Sequence, residues 1–271
     1  MVSKILCEAA KKLHNSETPM LDARVLLSYA AEVDNAALLF NMPDEKILEK
    51  FNSFISLRQK GIPVAYIIGE KEFMGLSFLL NEDTLIPRPD TERLVELIIE
   101  KNTCSSPKIL DLCTGSGCIG ISLAKFIPSS LVHLADICDN ALLAARKNIS
   151  RHGLQERIKA FRLDVLQDEI EEKYDIIVSN PPYIETDVLE TLEVKKTEPV
   201  LALDGGSDGL DFYRSIVKKA PQSLKKGGML AFEIGYNQGE SVTSLLSVSF
   251  RDVKVYKDYG GNDRVVIGFK Q

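Results

Sequence analysis

Two short stretches carry residue types and spacings that can do chemistry. The first is "DLCTGSGCIG", in which Gly115, Gly117 and Gly120 satisfy G-x-G-x-x-G. The stretch follows an apolar run, "KILDLC", and opens a helical pattern, "CIGISLAKF", the setting in which such a loop holds a nucleoside-bearing cofactor. Asp136 ends the next apolar run about 20 residues on, the distance at which an acid accepts hydrogen bonds from ribose hydroxyls. Asp111 precedes the loop. It would repel the pyrophosphate of a nicotinamide dinucleotide but favour an ammonium, which tilts the reading toward S-adenosylmethionine. Asp164 closes a third predicted strand, "IKAFRLD", where it accepts from an adenine amino group or caps a helix.

The second stretch is "SNPPYIET", Ser179 to Thr186, directly after the apolar run "YDIIV". In a doubly wound sheet this strand lies beside the glycine-loop strand, and its C-terminal end opens on the ligand crevice. A planar amide or amino nitrogen is a poor nucleophile because its lone pair is delocalised. Asn180 offers a side-chain carbonyl to one N–H of such a group, and the Pro181 carbonyl offers a second acceptor. Proline fixes φ and donates nothing, so Pro181 and Pro182 keep both acceptors aimed. Tyr183 supplies a ring to lie over the planar group. Catalysis would then be positioning plus hydrogen bonding that strengthens as charge develops.

The elements that must hold these stretches follow from periodicity. Before about residue 75 the pattern is helical: Leu6, Ala9, Ala10 and Leu13, then Leu21, Val25 and Leu26, then a stripe of Ile47, Leu48, Phe51, Phe54 and Ile55 after Pro43 and Asp44. "EFMGLSFLLNEDTLIP" predicts a β-hairpin around Gly75, with Phe73 and Met74 in its core. "IPRPDTE" opens a helix that Asp90 or Thr91 caps. From Pro107 onward strands and helices alternate, which implies a mostly parallel sheet covered on both faces. "DVKVYKD" and "RVVIGFK" are too close for a crossover helix and should pair antiparallel. The expected fold is α/β, a doubly wound seven-stranded Rossmann-like sheet behind a small helical domain. The expected divisions are 1–72, helical and substrate-recognising; 73–86, a hairpin linker; and 87–271, the catalytic domain.

Composition narrows the function. The chain of 271 residues is 45% hydrophobic and carries a net charge of −6, so it offers no overall basic surface for a nucleic-acid duplex. No apolar run reaches the ~18 residues of a membrane span, and the N-terminus lacks the apolar centre of a signal peptide. The five cysteines, Cys7, Cys104, Cys113, Cys118 and Cys138, form no Cys-x-x-Cys pair, so neither a disulfide frame nor a zinc site is signalled, and a cytoplasmic setting is expected. The three histidines, His14, His133 and His152, are scattered.

"DLCTGSGCIG", "IIVSNPPYI", "EPVLALDGGSDGLDFYRSI", "TLIPRPDTE", "PVAYIIGEKEF" and "GGNDRVVIGF" together resemble the bacterial peptide chain release factor glutamine methyltransferases over nearly the whole chain. The resemblance implies S-adenosylmethionine as cofactor and, as partner and substrate, class 1 peptide chain release factors, methylated on the glutamine amide of their Gly-Gly-Gln motif. It places Cys113, Thr114, Gly115, Ser116 and Gly117 around the methionine part, Asp136 at the ribose and Asp164 with Val165 at the adenine. Asn180, Pro181, Pro182 and Tyr183 would hold the glutamine, with Asn180 also touching the cofactor. Cys113 and Cys118 stand where relatives often have glycine or alanine, which implies an oxidation-sensitive site, and Val165 stands where an aromatic is common. A nucleic-acid adenine-N6 methyltransferase is the alternative, since "NPPY" is shared; it would need a target-reading domain and basic surface. A third reading, a non-enzymatic sensor of an adenosyl cofactor, would have no use for "NPPY" at a strand end. Arg88 either faces the cleft or ties the hairpin to the core. "EPVLALDGG" reads as a lid hinged at Gly205 and Gly206, or as a plain loop. Glu233 reads as a buried carboxylate or an assisting acid.

Overall fold

The structure, a computed structural model, describes residues 2–34, 37–39 and 43–271. It divides into two compact units, Met1–Glu70 and Lys71–Gln271. In the first, α1 (Val2–Lys12), α2 (Pro19–Ala31), α3 (Glu45–Gln59) and the short α4 (Val64–Ile68) enclose a core of Leu6, Leu13, Leu26, Leu27, Phe51 and Ile55. Asp44 caps α3 by accepting from the Ile47 N–H at 2.9 Å, as the Pro-Asp-Glu start predicts. The Arg58 guanidinium meets the largely buried Asp22 at 2.7 Å and joins α3 to α2. Leu21, expected in the apolar stripe of α2, faces out and is 54% exposed. The stripe runs instead through Ala23, Leu26, Leu27 and Ala30.

A hairpin of β1 (Glu70–Phe73) and β2 (Leu76–Leu79) follows, all but its first residue within the second unit. Met74 and Gly75 both take positive φ, 53° and 70°, the conformation a two-residue turn of the favoured twist requires. Phe73 and Phe78 are buried in the same core as Leu94 and Ile98 of α5 (Pro89–Lys101). The start of α5 corrects the sequence expectation. Arg88 is the N-cap and Pro89 the first helical residue, so Asp90 and Thr91 lie inside the first turn. Proline suits that place because its missing N–H would be unpaired there anyway.

The sheet holds β3 (Lys108–Leu112), β4 (Leu131–Asp136), β5 (Ile158–Arg162), β6 (Tyr174–Ser179), β7 (Leu224–Glu233), β8 (Phe250–Lys257) and β9 (Asp263–Lys270), in the order β5-β4-β3-β6-β7-β9-β8. The first five strands pair in parallel, and β9 pairs antiparallel with both β7 and β8. Alternate strand residues feed two cores. Ile109, Val132, Ile176, Val178 and Ala231 pack with α5, α6 (Cys118–Phe126) and α7 (Asp139–Arg151). Leu110, Ala135, Ile177, Leu230 and Phe232 pack with α9 (Asp211–Ser223) and α10 (Gly239–Ser247). A four-residue helix, α8 (Thr186–Leu189), follows the Asn-Pro-Pro-Tyr loop. The chain winds outward from β3 through β4 to β5, then returns to lay β6 on the other side of β3. That reversal places the crevice at the carboxyl ends of β3 and β6. Among the described residues no helix is long and apolar enough to cross a membrane.

Candidate active site

The glycine loop leaves β3 and is braced by the two acids that flank it. Asp111 is fully buried. Its Oδ2 accepts from Thr114 Oγ1 at 2.5 Å and from the Gly120 N–H at 3.0 Å. Asp136 accepts from the Gly115 N–H at 2.8 Å and the Cys138 N–H at 2.9 Å. Only Oδ2 is used in this way: Oδ1 is buried without a hydrogen-bond partner, and Asp111 is not in the wall of the cavity in front of the loop. Burial pushes its pKa up to about 7, opposed by the Thr114 and Gly120 hydrogen bonds. At Gly120 a Cβ would stand 2.2 Å from Leu134 Cδ2, so the third glycine lets α6 lie close on β4. Asn148 of α7 joins loop and hairpin: its Nδ2 donates to the carbonyls of Ser116 (2.9 Å) and Leu79 (3.0 Å), and its Oδ1 accepts from the Leu79 N–H (2.7 Å).

In front of this loop is a cavity of about 810 Å³, its open mouth included. Of the residues expected around a cofactor, Cys113, Gly115, Asp136, Asp164, Val165 and Asn180 line it; Thr114, Ser116 and Gly117 do not. Leu85, Leu201 and Phe212 complete its apolar walls. Asp164 sits two residues beyond β5 in a tight turn, its Oδ1 accepting from the Leu166 N–H at 2.9 Å. The Val165 carbonyl is fixed by Ser215 Oγ at 2.6 Å and by Lys219 Nζ at 2.7 Å, both from α9. Cys113 adopts φ 57°, a left-handed conformation that costs a side-chain-bearing residue about 1–2 kcal/mol. Burial raises the thiol pKa of Cys113 and pushes that of Cys118 up to about 12. Both remain protonated near neutrality, so the expected oxidation sensitivity gains no support from thiolate formation.

A second cavity of about 570 Å³ is lined by Arg88, Asn180, Pro181, Tyr183, Glu233 and neighbours. Asn180 belongs to the walls of both cavities; Pro182 faces the first and Pro181 the second. The four residues are pinned from outside. Gln238 Nε2 donates to the Tyr183 carbonyl at 3.0 Å and to the Gly209 carbonyl at 3.2 Å. Its Oε1 accepts from the Gly235 N–H at 3.0 Å. The segment expected to be a lid packs directly on the motif: Ile184 N–H donates to the Leu203 carbonyl at 3.0 Å, and Gly205 N–H to the Ile184 carbonyl at 2.8 Å. A Cβ on Gly205 would stand 2.7 Å from Tyr183 Cα, and one on Gly209 would stand 2.4 Å from the Tyr183 carbonyl oxygen. Gly205 thus serves close approach rather than hinge freedom, and Gly206 sits against Asp211. Arg88 lines the second cavity and pairs with Glu198, whose other oxygen accepts from the Ile86 N–H at 3.2 Å; the pair ties the start of α5 to the "EPVLALDGG" segment rather than the hairpin to the core. Burial pushes the Tyr183 hydroxyl up to about 12, so it stays protonated.

Sequence reasoning missed Gln238, Gly209 and Phe212. Helices α9 and α10, which carry Phe212 and follow Gln238, are not in the strand-and-helix pattern read from Pro107 onward. The glycines of "LDGGSDG" were the available signal, readable as flexibility or as close approach.

Two family descriptions match the chain: the PrmC N-terminal domain over residues 4–69 and the methyltransferase small domain over residues 89–197. The solved methyltransferase from Pyrococcus furiosus is 17% identical, with a TM-score of 0.56 over 81% of this chain and 97% of its own. The ribosomal protein L11 methylase from Lactobacillus delbrueckii is 22% identical, with a TM-score of 0.51 over 68% of this chain and 81% of its own. Both share the fold. The release factor glutamine methyltransferase of Clostridium botulinum is 44% identical, covering 91% of this chain and 90% of its own. That of Moorella thermoacetica is 39% identical, covering 98% and 97%. With such identity over nearly its whole length, the chain is a methyltransferase and belongs to the release factor glutamine methyltransferase family.

Proposed function

We propose that this enzyme transfers a methyl group from S-adenosylmethionine to the side-chain amide nitrogen of the glutamine in the Gly-Gly-Gln motif of class 1 release factors, in the cytoplasm. The observation that carries this reading is the pair of cavities meeting at Asn180. The first fits the cofactor: an acid, Asp136, stands where ribose hydroxyls need an acceptor, apolar Leu163 and Val165 stand beside Asp164, and the wall is mostly apolar, as small-molecule sites are. When bound there, S-adenosylmethionine supplies the methyl group. Asp164 and Val165 would hold the adenine, and Cys113 and Gly115, the loop residues in the cavity wall, the methionine end.

The second cavity accepts the glutamine side chain. Asn180 Oδ1 takes one amide N–H and the Pro181 carbonyl takes the other. The Tyr183 ring covers the planar group, and the amide nitrogen is left facing the first cavity. Hydrogen bonds to both N–H groups strengthen as positive charge develops on nitrogen, which is where preorganised acceptors lower the barrier. As the nitrogen–methyl bond forms, the methyl–sulfur bond breaks, S-adenosylhomocysteine is left, and the amide passes one proton to solvent. The helical unit, residues 1–70, recognises the protein that carries the glutamine.

The experiment offers tritiated S-adenosylmethionine with an unmethylated release factor or unmethylated DNA, to the full chain and to residues 71–271 alone. Label should enter the factor's glutamine with the full chain, and far less with residues 71–271. Label in DNA, or none in the factor, overturns the substrate. Equal kcat/KM for the two lengths of chain overturns the role of the helical unit.

A further inference from the structure

Glu233 ends β7 in the wall of the second cavity, only 2% exposed, and its Oε2 meets no hydrogen-bond partner. The sheet places it with care. β6 and β7 run parallel with Ser179 beside Phe232, so the next residues along, Asn180 and Glu233, are neighbours across the pair. Ile176 and Val178, with Met229 and Ala231, face the α5 side, whereas Ile177, Leu230 and Phe232 face the other. Side chains alternate along a strand. Continuing by one residue puts Asn180 and Glu233 on the same face.

A buried structural carboxylate would be expected to take a cation, but Glu233 makes no ion pair among the described residues. The nearby cations are committed elsewhere: Arg88 to Glu198, and Arg264 to Asp258 at 3.2 Å and Asp90 at 3.5 Å. What faces the carboxyl is Thr91 of α5, Asn180 of the loop, and the more distant charges of Arg264 and Asp90.

We propose that Glu233 is a positioning residue for Asn180: its carboxylate takes an N–H of the Asn180 amide and so turns Asn180 Oδ1 toward the substrate. This rests on the proposed function, since it assumes that Oδ1 must accept from the target. An ionised carboxylate only accepts, so it can bond only the NH₂ end of Asn180. A protonated carboxyl donates as well, and it stabilises the reversed amide, whose NH₂ would face the NH₂ of the target. The two ends of an asparagine amide are nearly equal in shape, so only such a partner selects between them. Burial pushes the Glu233 carboxyl up to about 7, while Thr91, Arg264 and Asn180 favour its charged form and Asp90 opposes it. The orientation is therefore sensitive to pH in the neutral range. Activity is held above the pKa and lost as pH falls through it.

The test is single-turnover methylation of a release factor from pH 5.5 to 8.5 at saturating cofactor. The wild-type rate should fall about tenfold per pH unit on the acid side of a single ionisation. Glu233→Gln cannot ionise and should lose that limb while cofactor affinity stays within about twofold of wild type. A second comparison needs no pH scan. In Asn180→Asp two carboxyls face each other, and adding Glu233→Gln supplies a donor between them, so the double variant should exceed Asn180→Asp at least tenfold. An acid limb unchanged in Glu233→Gln, or a double variant no better than Asn180→Asp, overturns this role alone. A wild type that methylates no release factor at any pH overturns the substrate and this role together.

Discussion

The glycine loop and the Asn-Pro-Pro-Tyr loop leave adjacent strands of one sheet, yet they are held by different means. The first is braced by hydrogen bonds to side chains: Asp111 and Asp136, at the ends of β3 and β4, accept from Thr114, Gly115 and Gly120, and Asn148 of α7 donates to the Ser116 carbonyl. The second makes its contacts with distant chain. Gly205 and Gly209 press on its backbone, and Gln238 holds the Tyr183 carbonyl. The difference matches what each loop must do on the proposed function. A loop that wraps a cofactor with its backbone needs only a fixed curve, which a few hydrogen bonds supply. A loop that aims two acceptors at a group on another protein must not rotate, and walls built from separate elements prevent that.

That contrast is open to mutation, and the largest effect should come from the second loop. Gly209 has φ 70°, and a Cβ there would meet the Tyr183 carbonyl at 2.4 Å. Gly209→Ala should displace the motif and lower kcat about 10²–10³-fold, the loss expected when one preorganised group leaves a reacting centre. Cofactor affinity measured by calorimetry should barely change. Equal loss of cofactor binding would show that the two loops move as one and erase the contrast.

Asp136→Ala probes the first loop. It removes the acceptor of the Gly115 and Cys138 amides and the one assigned to ribose. Cofactor affinity should weaken by about 1–3 kcal/mol, the range for hydrogen bonds to a charged acceptor, with kcat at saturating cofactor nearly kept. An unchanged affinity in a folded variant removes Asp136 from the site.

The smallest effect is expected at Cys113. Glycine takes its φ of 57° freely but costs more entropy on folding. Cys113→Gly should therefore alter unfolding free energy by less than about 1 kcal/mol, whereas Cys113→Val, β-branched in a left-handed conformation, should lose more. Denaturant titration of the two variants checks this. A strongly destabilised Cys113→Gly would mean the thiol contributes packing that outweighs the strain.

The same contrast explains what could be read before the structure. The glycine loop was legible because its constraints follow a fixed spacing: strand, glycines, helix and then the acid about 20 residues on. The middle of the sheet was legible because β3, β4 and β6 are mostly apolar and buried on both faces, whereas the edge strands β5 and β8 are more exposed. The position of "NPPY" followed from strand order, since "YDIIV" had to return beside "KILDLC". Its supports were not legible. Gly205 and Gly209 announce only that a side chain is absent, and no motif spacing ties them to their reason, the Tyr183 backbone. Glu233 and Asn180 are 53 positions apart and become neighbours only through the β6–β7 register. Leu21 shows a different limit: a short helix with apolar residues on several faces does not reveal which of them points inward.

The reading of the crevice stands on Asn180, and single-turnover methylation of a release factor by Asn180→Ala tests it most directly. The substitution leaves both prolines, Tyr183 and the Gln238 contact in place. The rate should fall about 10²–10³-fold, by more than any change in cofactor affinity. Turnover at the wild-type rate would show that no acceptor at this position is needed and would take Asn180 out of the mechanism.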